Sequence, residues 1–291
     1  MKHKFLWIGL FFFQIYAGQE IQILKLKPYQ KAVLSDTLRE SSGLTILQGK
    51  LLSFNDSGNA PEIYEINPER GNILKTYKTN AINQDWEAIT HDEKHLYIGD
   101  FGNNLGVRKD LTIYKIPFIP DAEKLEYTAK IHFFYPEQQD YSPKNIRNNF
   151  DAEAMIFLNG KLHVFTKEWE AKAVSHYVID PDIQDLQPAY KQETYPSGFV
   201  VTDATYFQGK LYLIGYTKSA HIYLLSCEET SPGVFFEGKI KKYFLGMATR
   251  FGQIEGVTAT EEGLYISGEE FNFYLLKAKQ RLYFLPFKKL K

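Results

Sequence analysis

The 291-residue chain carries 34 Lys and Arg against 35 Asp and Glu, a formal net charge of −1. That balance leaves no global field to favour nucleic acid, and the length suffices for one large core or two smaller ones. With 20 Tyr, 22 Phe and many short apolar runs, the composition leans to an all-β protein.

The chain begins as an export signal does. Lys2 and Lys4 precede an apolar run over 5–15 broken only by Gln14, and Ala17 or Gly18 offers a small residue for cleavage. The run is too short to span a bilayer, and no other stretch reaches about 18 apolar residues. The expected organisation is a signal peptide over 1–18 and a single domain over 19–291. Such a chain is periplasmic or secreted, with no membrane span after cleavage. Cys227 is the only cysteine, which excludes an internal disulfide, and it reads as a buried strand residue rather than a nucleophile.

Residues 21–27 (IQILKLK) alternate as a half-buried strand does, and Pro28 ends it. Five repeats follow: SSGLTIL, DWEAITH, DAEAMIF, VTDATYF and QIEGVTA. Aligned on their small residue, they place Ser42, Glu87, Glu153, Asp203 and Glu255 in one column. Thirteen positions later lie Asn55, Asp100, Thr166, Tyr216 and Gly268. A third strand carries Tyr64, Tyr114, Tyr177, Tyr223 or Tyr274, and a more polar fourth strand follows, the last of them over 282–287. Repeat starts are 45, 66, 50 and 52 residues apart, and blades of four-stranded propellers run to about 40–50 residues. The excess in the second interval falls in a polar insertion over 136–149. The predicted fold is an all-β propeller of four-stranded blades, five in number with a sixth, degenerate one left open. The N-terminal strand from Ile21 is expected to pair with the last blade and close the ring.

In such a blade the first strand lines the channel and the second returns antiparallel to it, so the start of one and the end of the other share a mouth. That mouth collects Glu40, Asp85 and Asp151, two residues before the column and on the same strand face, with Gln253 in the corresponding place. Glu87, Glu153, Asp203 and Glu255 join them, with Asn55, Asp56, Asp100, Glu269 and Glu270 from the strand ends. Like charges held together need compensation. It could come from a hard cation, calcium or magnesium, held by Glu87, Glu153, Asp203 and Glu255. Pairing with Arg39, Lys167 or Arg250, and solvation in a wet channel, are the alternatives.

The loop over 100–108 (DFGNNLGVR) and its blade-one counterpart NDSGN over 55–59 combine Asp, Gly and Asn in turn-forming order. Asp100, Asn103 and Arg108 there read either as ligand-binding groups or as Asx turns that set Arg108 against a carboxylate. The alternating-acid calcium loop closed by Glu is not present. The third-strand tyrosines read as packing between blades. Trp86 and Trp169 are less regular, and Trp86 reads as either core or a stacking platform. No G-x-S-x-G surrounds Ser197, and the histidines show no ligand spacing.

The motifs SGL…NDSGN…IYEI, DWEAI, YIGDFGNN with Arg108 and IY behind it, and DAEAM…VFTKEW resemble those of secreted bacterial β-propeller proteins. The resemblance covers about residues 40–270 and implies a propeller and export, with no established activity. More distantly the chain is similar to calcium-dependent lactonase and phosphotriesterase propellers of the gluconolactonase type, which set a Glu, an Asn and an Asp around a channel metal. Glu40, Asn55, Asp100 and Asp203 offer those residue types here. That family has six blades and its spacing differs, so the likeness implies only a channel metal.

Regular repeats without a nucleophile–base set point to an exported binding or scaffold propeller for a small molecule, a saccharide or a cell-surface protein. The alternative is a divalent-metal-dependent hydrolase of lactonase, esterase or phosphoesterase type, in which the channel carboxylates hold the ion and supply a base.

Overall fold

The computed structural model describes residues 20–273 and 276–290; the leader read over 1–18 and the repeat tyrosine Tyr274 lie outside them. Five four-stranded antiparallel blades form the molecule. Blade 1 contains Ser41–Leu47, Lys50–Asn55, Glu62–Ile66 and Ile73–Thr79; blade 2 contains Trp86–His91, His95–Asp100, Thr112–Pro117 and Ala129–Phe134. Blade 3 contains Ala152–Leu158, Lys161–Thr166, Val174–Ile179 and Tyr190–Tyr195, and blade 4 Val200–Phe207, Lys210–Tyr216, His221–Glu228 and Ile240–Met247. Blade 5 is Gln253–Ala259, Gly263–Glu269 and Arg281–Pro286, completed by Gln30–Val33 from the N-terminal side.

The turns explain why first and second strands pair so regularly. Gln48-Gly49, Asn159-Gly160 and Gln208-Gly209 each place two consecutive residues at positive φ (51° and 76°, 52° and 76°, 47° and 75°). That two-residue turn has the twist of the strands it joins. In blade 2 the Asp92 carboxylate does the same job by accepting the Lys94 and His95 amides at 3.1 and 2.7 Å.

The five first strands contact one another in cyclic order around the channel. Each gap between neighbouring blades holds its own apolar cluster. Leu44, Leu51, Tyr64 and Ile66 of blade 1 meet Leu282 of blade 5, so the seam that closes the ring is built like the other four. Burial of apolar surface at about 25 cal/mol per Å² is the main force holding the blades together. Trp86 belongs to this packing: it is fully buried, meets Phe54 edge-on at 5.8 Å and donates its indole N–H to the Ile82 carbonyl at 2.7 Å. Tyr64, Tyr114 and Tyr177 are buried between blades, and Tyr223 packs partly buried against the cluster between blades 3 and 4.

Two strand assignments differ from the sequence reading. Residues 21–27 do not close the ring. Ile21–Ile23 pairs in parallel with the outer strand of blade 4, Pro28 sits in a 3-10 turn, and Gln30–Val33 then pairs with blade 5. Closure from the N-terminal side is as expected, but the turn at Pro28 hands the role to the next segment. In blade 5, Phe271–Phe273 and Leu276–Ala278 form a separate two-stranded hairpin. The third strand is Arg281–Pro286, read from sequence as the fourth, and Tyr283 supplies its buried tyrosine. The repeat tyrosine is read at Tyr274, between the two hairpin strands in sequence, whereas the blade's own third strand carries Tyr283.

Candidate functional site

Every first strand is broken near its start by a β-bulge. The pairing jumps from Trp86 to Ala88, Ala152 to Ala154, Val201 to Asp203 and Ile254 to Gly256, and in blade 1 from Ser41 to Leu44. The unpaired residues of blades 2 to 5 are Glu87, Glu153, Thr202 and Glu255. A bulge re-aims the side chain it carries, and three of the four are carboxylates buried at the mouth. Asp203 therefore lies one residue beyond the position that Glu87, Glu153 and Glu255 share, and Thr202 stands there in blade 4.

Asp203 is fully satisfied by backbone. Its Oδ2 accepts the Val257 amide of blade 5 at 2.6 Å and the Leu44 amide of blade 1 at 3.4 Å, while Oδ1 accepts its neighbour Ala204 at 2.7 Å. This carboxyl ties three inner strands together. The loop over 100–108 is equally self-contained. Arg108 Nη1 donates to Asp100 Oδ1 at 3.0 Å and to the Gly102 carbonyl at 3.2 Å, and Nε donates to Asp110. Asp100 also accepts the Gln84 and Asp85 amides. The Asn103 side-chain oxygen accepts the Arg108 amide at 2.9 Å, and the Asn103 backbone amide donates to Asp151 Oδ1 at 2.7 Å.

The other acids are not satisfied in this way. Asp56, Asp85 and Glu87 each present a carboxylate oxygen within 4.8 Å of the other two. Gly102 makes the approach possible, since a Cβ there would lie 2.3 Å from Asp85 Oδ2 and 2.5 Å from Glu87 Oε1. Behind this trio, Lys167 forms a buried ion pair with Glu153 Oε1. Glu153 Oε2, Asp151 Oδ2 and Asn55 Oδ1 are buried without a hydrogen-bond partner. Gln253 Nε2 bridges Glu255 and Glu269 at 2.6 and 2.7 Å. Glu40 stands exposed at the rim, accepting from Asn59 at 2.7 Å. Of the three cations expected near the mouth, Lys167 reaches the cluster. Arg39 pairs with Asp36, and Arg250 lies over the Phe251 ring.

Crowding shows in the proton affinities. Burial, then Asp56 and Asp151, push the Asp85 carboxyl up to about 6 despite Arg108. Burial also pushes Asp151 to about 6 and Glu255 to about 8 against the pull of Lys167. Glu269 rises to about 8 through burial and then Asp56. Glu87 is raised by burial, then by Glu153, Asp56 and Asp85. Burial alone would depress the Lys167 ammonium, but Glu153, Tyr216 and Glu255 hold it well above its ordinary value.

The trio suits a hard divalent cation. Oxygens that ligate one ion at about 2.4 Å lie no more than about 4.8 Å apart, the separation these three have. Carboxylates with spare lone pairs are calcium or magnesium ligands by chemistry. The sequence places Asp56 and Asp85 at the mouth and sets Glu153, Asp203 and Glu255 beside Glu87 as cation ligands; Glu153 and Glu255 share the bulge position of Glu87, whereas the Asp203 carboxylate is taken up by backbone amides. Sequence reasoning missed the aromatic ground beside the cluster, where Trp169 lies 5.6 Å beneath both the Lys167 and the Lys218 ammonium. The sequence signal there was Trp169 directly after the Lys167-Glu168 pair at a strand end.

No protein-family model matches the chain, and no curated protein matches it. Among solved structures it is similar to a protein of Thermus thermophilus described as an oxidoreductase (glucose dehydrogenase). The TM-score is 0.48 at 13% identity, over 88% of this chain and 98% of that one. It is also similar to hydrazine synthase of Kuenenia stuttgartiensis (TM-score 0.42, 10% identity, 87% and 68% covered). A third likeness is to a Bacteroides uniformis protein described as a 6-phosphogluconolactonase (0.35, 12%, 87% and 71%).

Proposed function

We propose that the chain is a divalent-cation-binding propeller that captures a small oxygen-rich ligand at the acidic mouth. The cation is calcium or magnesium, held by Asp56, Asp85 and Glu87. The observation that carries this is the convergence of three carboxylate oxygens within 4.8 Å with no cationic side chain paired to them among the described residues. The partnerless oxygens of Asp151 and Glu153, whose charges act on Asp85 and Glu87, support it. Lys167 neutralises one carboxylate of this group, and a divalent ion neutralises two more. The proposed setting is outside the cytoplasm, following the leader read in the sequence.

The test is direct. Purified protein stripped with EDTA is titrated with calcium and with magnesium by calorimetry, beside an Asp85→Asn variant. One ion per chain is expected, and at 100-fold excess over Kd the fold gains about 2.7 kcal/mol. Absence of saturable binding by either ion, or binding unchanged in Asp85→Asn, overturns the proposal.

A hydrolase is the second reading, favoured by Glu255 and Glu269, whose carboxyls are pushed to about 8 beside the trio. A cation polarises a carbonyl or phosphoryl oxygen, and a neighbouring carboxyl group exchanges the proton. Calcium-dependent turnover of an ester, lactone or phosphoester, abolished by EDTA, distinguishes it from simple capture.

A further inference from the structure

Beside the carboxylates the same mouth changes character. A cavity of about 330 Å³ lies between Trp169, Phe199 and Tyr216, and the charged residues lining it are Lys172 and Lys218. A second, of about 510 Å³, shares Trp169, Tyr216 and Lys218 with the first and extends to Phe271, Phe273 and Ile146. No acid lines either cavity. Neither lysine ammonium is ion-paired among the described residues, although that of Lys218 lies over the Trp169 ring.

Gln253 and Tyr216 join this ground to the carboxylates. Gln253 lines the larger cavity while bonding Glu255 and Glu269. Tyr216 lines both, and its hydroxyl feels Glu255, Lys167 and Glu153. A ligand seated here meets the rings of Trp169, Phe199 and Tyr216 and the side chains of Lys172 and Lys218, the Lys218 ammonium lying over the Trp169 ring. Ring surface takes an aromatic or apolar group, and paired lysines take a carboxylate or phosphate. These pockets are also assembled from four separate excursions: the insertion over 136–149, the loops over 167–173 and 217–220, and the blade-5 hairpin. The insertion and the hairpin lie outside the strand–turn–strand repeat, whereas the loops over 167–173 and 217–220 join the second and third strands of blades 3 and 4.

We infer that these cavities form the ligand subsite of the mouth, and that the ligand is an organic oxyanion with an apolar or aromatic ring. The oxyanion lies at Lys172 and Lys218 and the ring beside Trp169 and Tyr216. This names the ligand class for the cation-binding mouth and rests on that reading. Its test is run in EDTA, so that failure of the cation site and failure of the subsite separate.

The probes are phenyl phosphate, benzoate and neutral benzyl alcohol, followed by calorimetry and by Trp169 fluorescence, with buried Trp86 as an internal reference. Both anions are expected to bind saturably, at least tenfold more tightly than benzyl alcohol. Whichever of the two binds tighter assigns the headgroup as phosphate or carboxylate. The Lys172→Gln, Lys218→Gln double variant, altered only at exposed side chains, should weaken both at least tenfold. Equal binding of benzyl alcohol, no saturable binding of either anion, or unchanged affinity in the double variant overturns the inference.

Discussion

Asp203 and Glu87 are both buried carboxyls on the first strand of a blade, one residue apart in the repeat, and they have opposite surroundings. Asp203 accepts three backbone amides from three blades. Glu87 sits on the bulge, and its nearest electrostatic neighbours are Glu153, Asp56 and Asp85, with Lys167 opposing them. A buried acid surrounded by N–H donors holds the ring together. One surrounded by other acids is held in place by the ring, and its charge is left for something else to balance. The single-residue shift at the bulge separates structure from site.

The comparison breaks first at Asp203. Truncation to Ala strands the Val257, Leu44 and Ala204 amides in the channel wall. Each unsatisfied buried group costs about 1–3 kcal/mol, so Asp203→Ala should lose on the order of 3–5 kcal/mol in urea unfolding while cation binding by the remaining folded protein persists. A neutral result would remove Asp203 from the ring's supports. Next is Lys167→Met, which leaves Glu153 buried without its partner. Breaking a buried pair from one side costs about 3–5 kcal/mol. Here the loss should shrink when calcium is added or the pH lowered, because either neutralises neighbouring carboxylates. A loss insensitive to both would mean that Lys167 acts through packing alone.

Smaller and opposite in sign is Glu87→Gln. Replacing a repelled carboxylate by its neutral isostere should leave the cation-free protein as stable or more stable, by on the order of 1 kcal/mol, and should abolish calcium binding. Gly102→Ala belongs with it. Its Cβ would collide with Asp85 and Glu87, so the expected outcome is lost calcium affinity with the blades intact by circular dichroism.

The ring was legible because its signals are local and repeated. The small-residue column, the QG and NG turns and the third-strand tyrosines recur at fixed offsets, and each states the same strand–turn–strand geometry. The blade-5 hairpin escaped because Tyr274 offers the repeat's tyrosine nine residues before Tyr283 does, and only pairing partners distinguish the two. In the site, Asp56, Asp85 and Glu87 could be placed at one mouth from topology alone. Their mutual approach could not, because it depends on the bulge that turns Glu87 and on the missing Cβ at Gly102. Asp203 looked equivalent to Glu87 because it too is an acid followed by Ala; counted back from the Gln208-Gly209 turn, as Glu153 is from Asn159-Gly160, the matching residue is Thr202.

The smallest effect is the pH profile, and it sets the mouth against the interface of blades 3 and 4. Glu255 and Glu269 have folded-state values near 8, above the ordinary 4.5. Their contribution is complete below about 4.5 and is lost as pH rises towards 8, where the folded mouth must ionise against its neighbours. Between blades 3 and 4, His163 Nδ1 meets His176 Nε2 at 2.7 Å, and His176 Nδ1 meets Glu193 at 3.2 Å. Burial and then His176 hold His163 down to about 4, and burial lowers His176 despite Glu193. Groups depressed below their ordinary 6.5 stabilise the fold above that pH, and their contribution fades as pH falls through the folded-state value. The cation-free protein should therefore lose stability on both flanks. Saturating calcium should flatten the alkaline flank and leave the acid one unchanged, because the cation sits among the carboxylates and the histidines lie in another seam. Urea midpoints between about pH 4 and 9, with EDTA or calcium, measure both flanks, and calcium acting equally on each would contradict the placement of the cation at Asp56, Asp85 and Glu87.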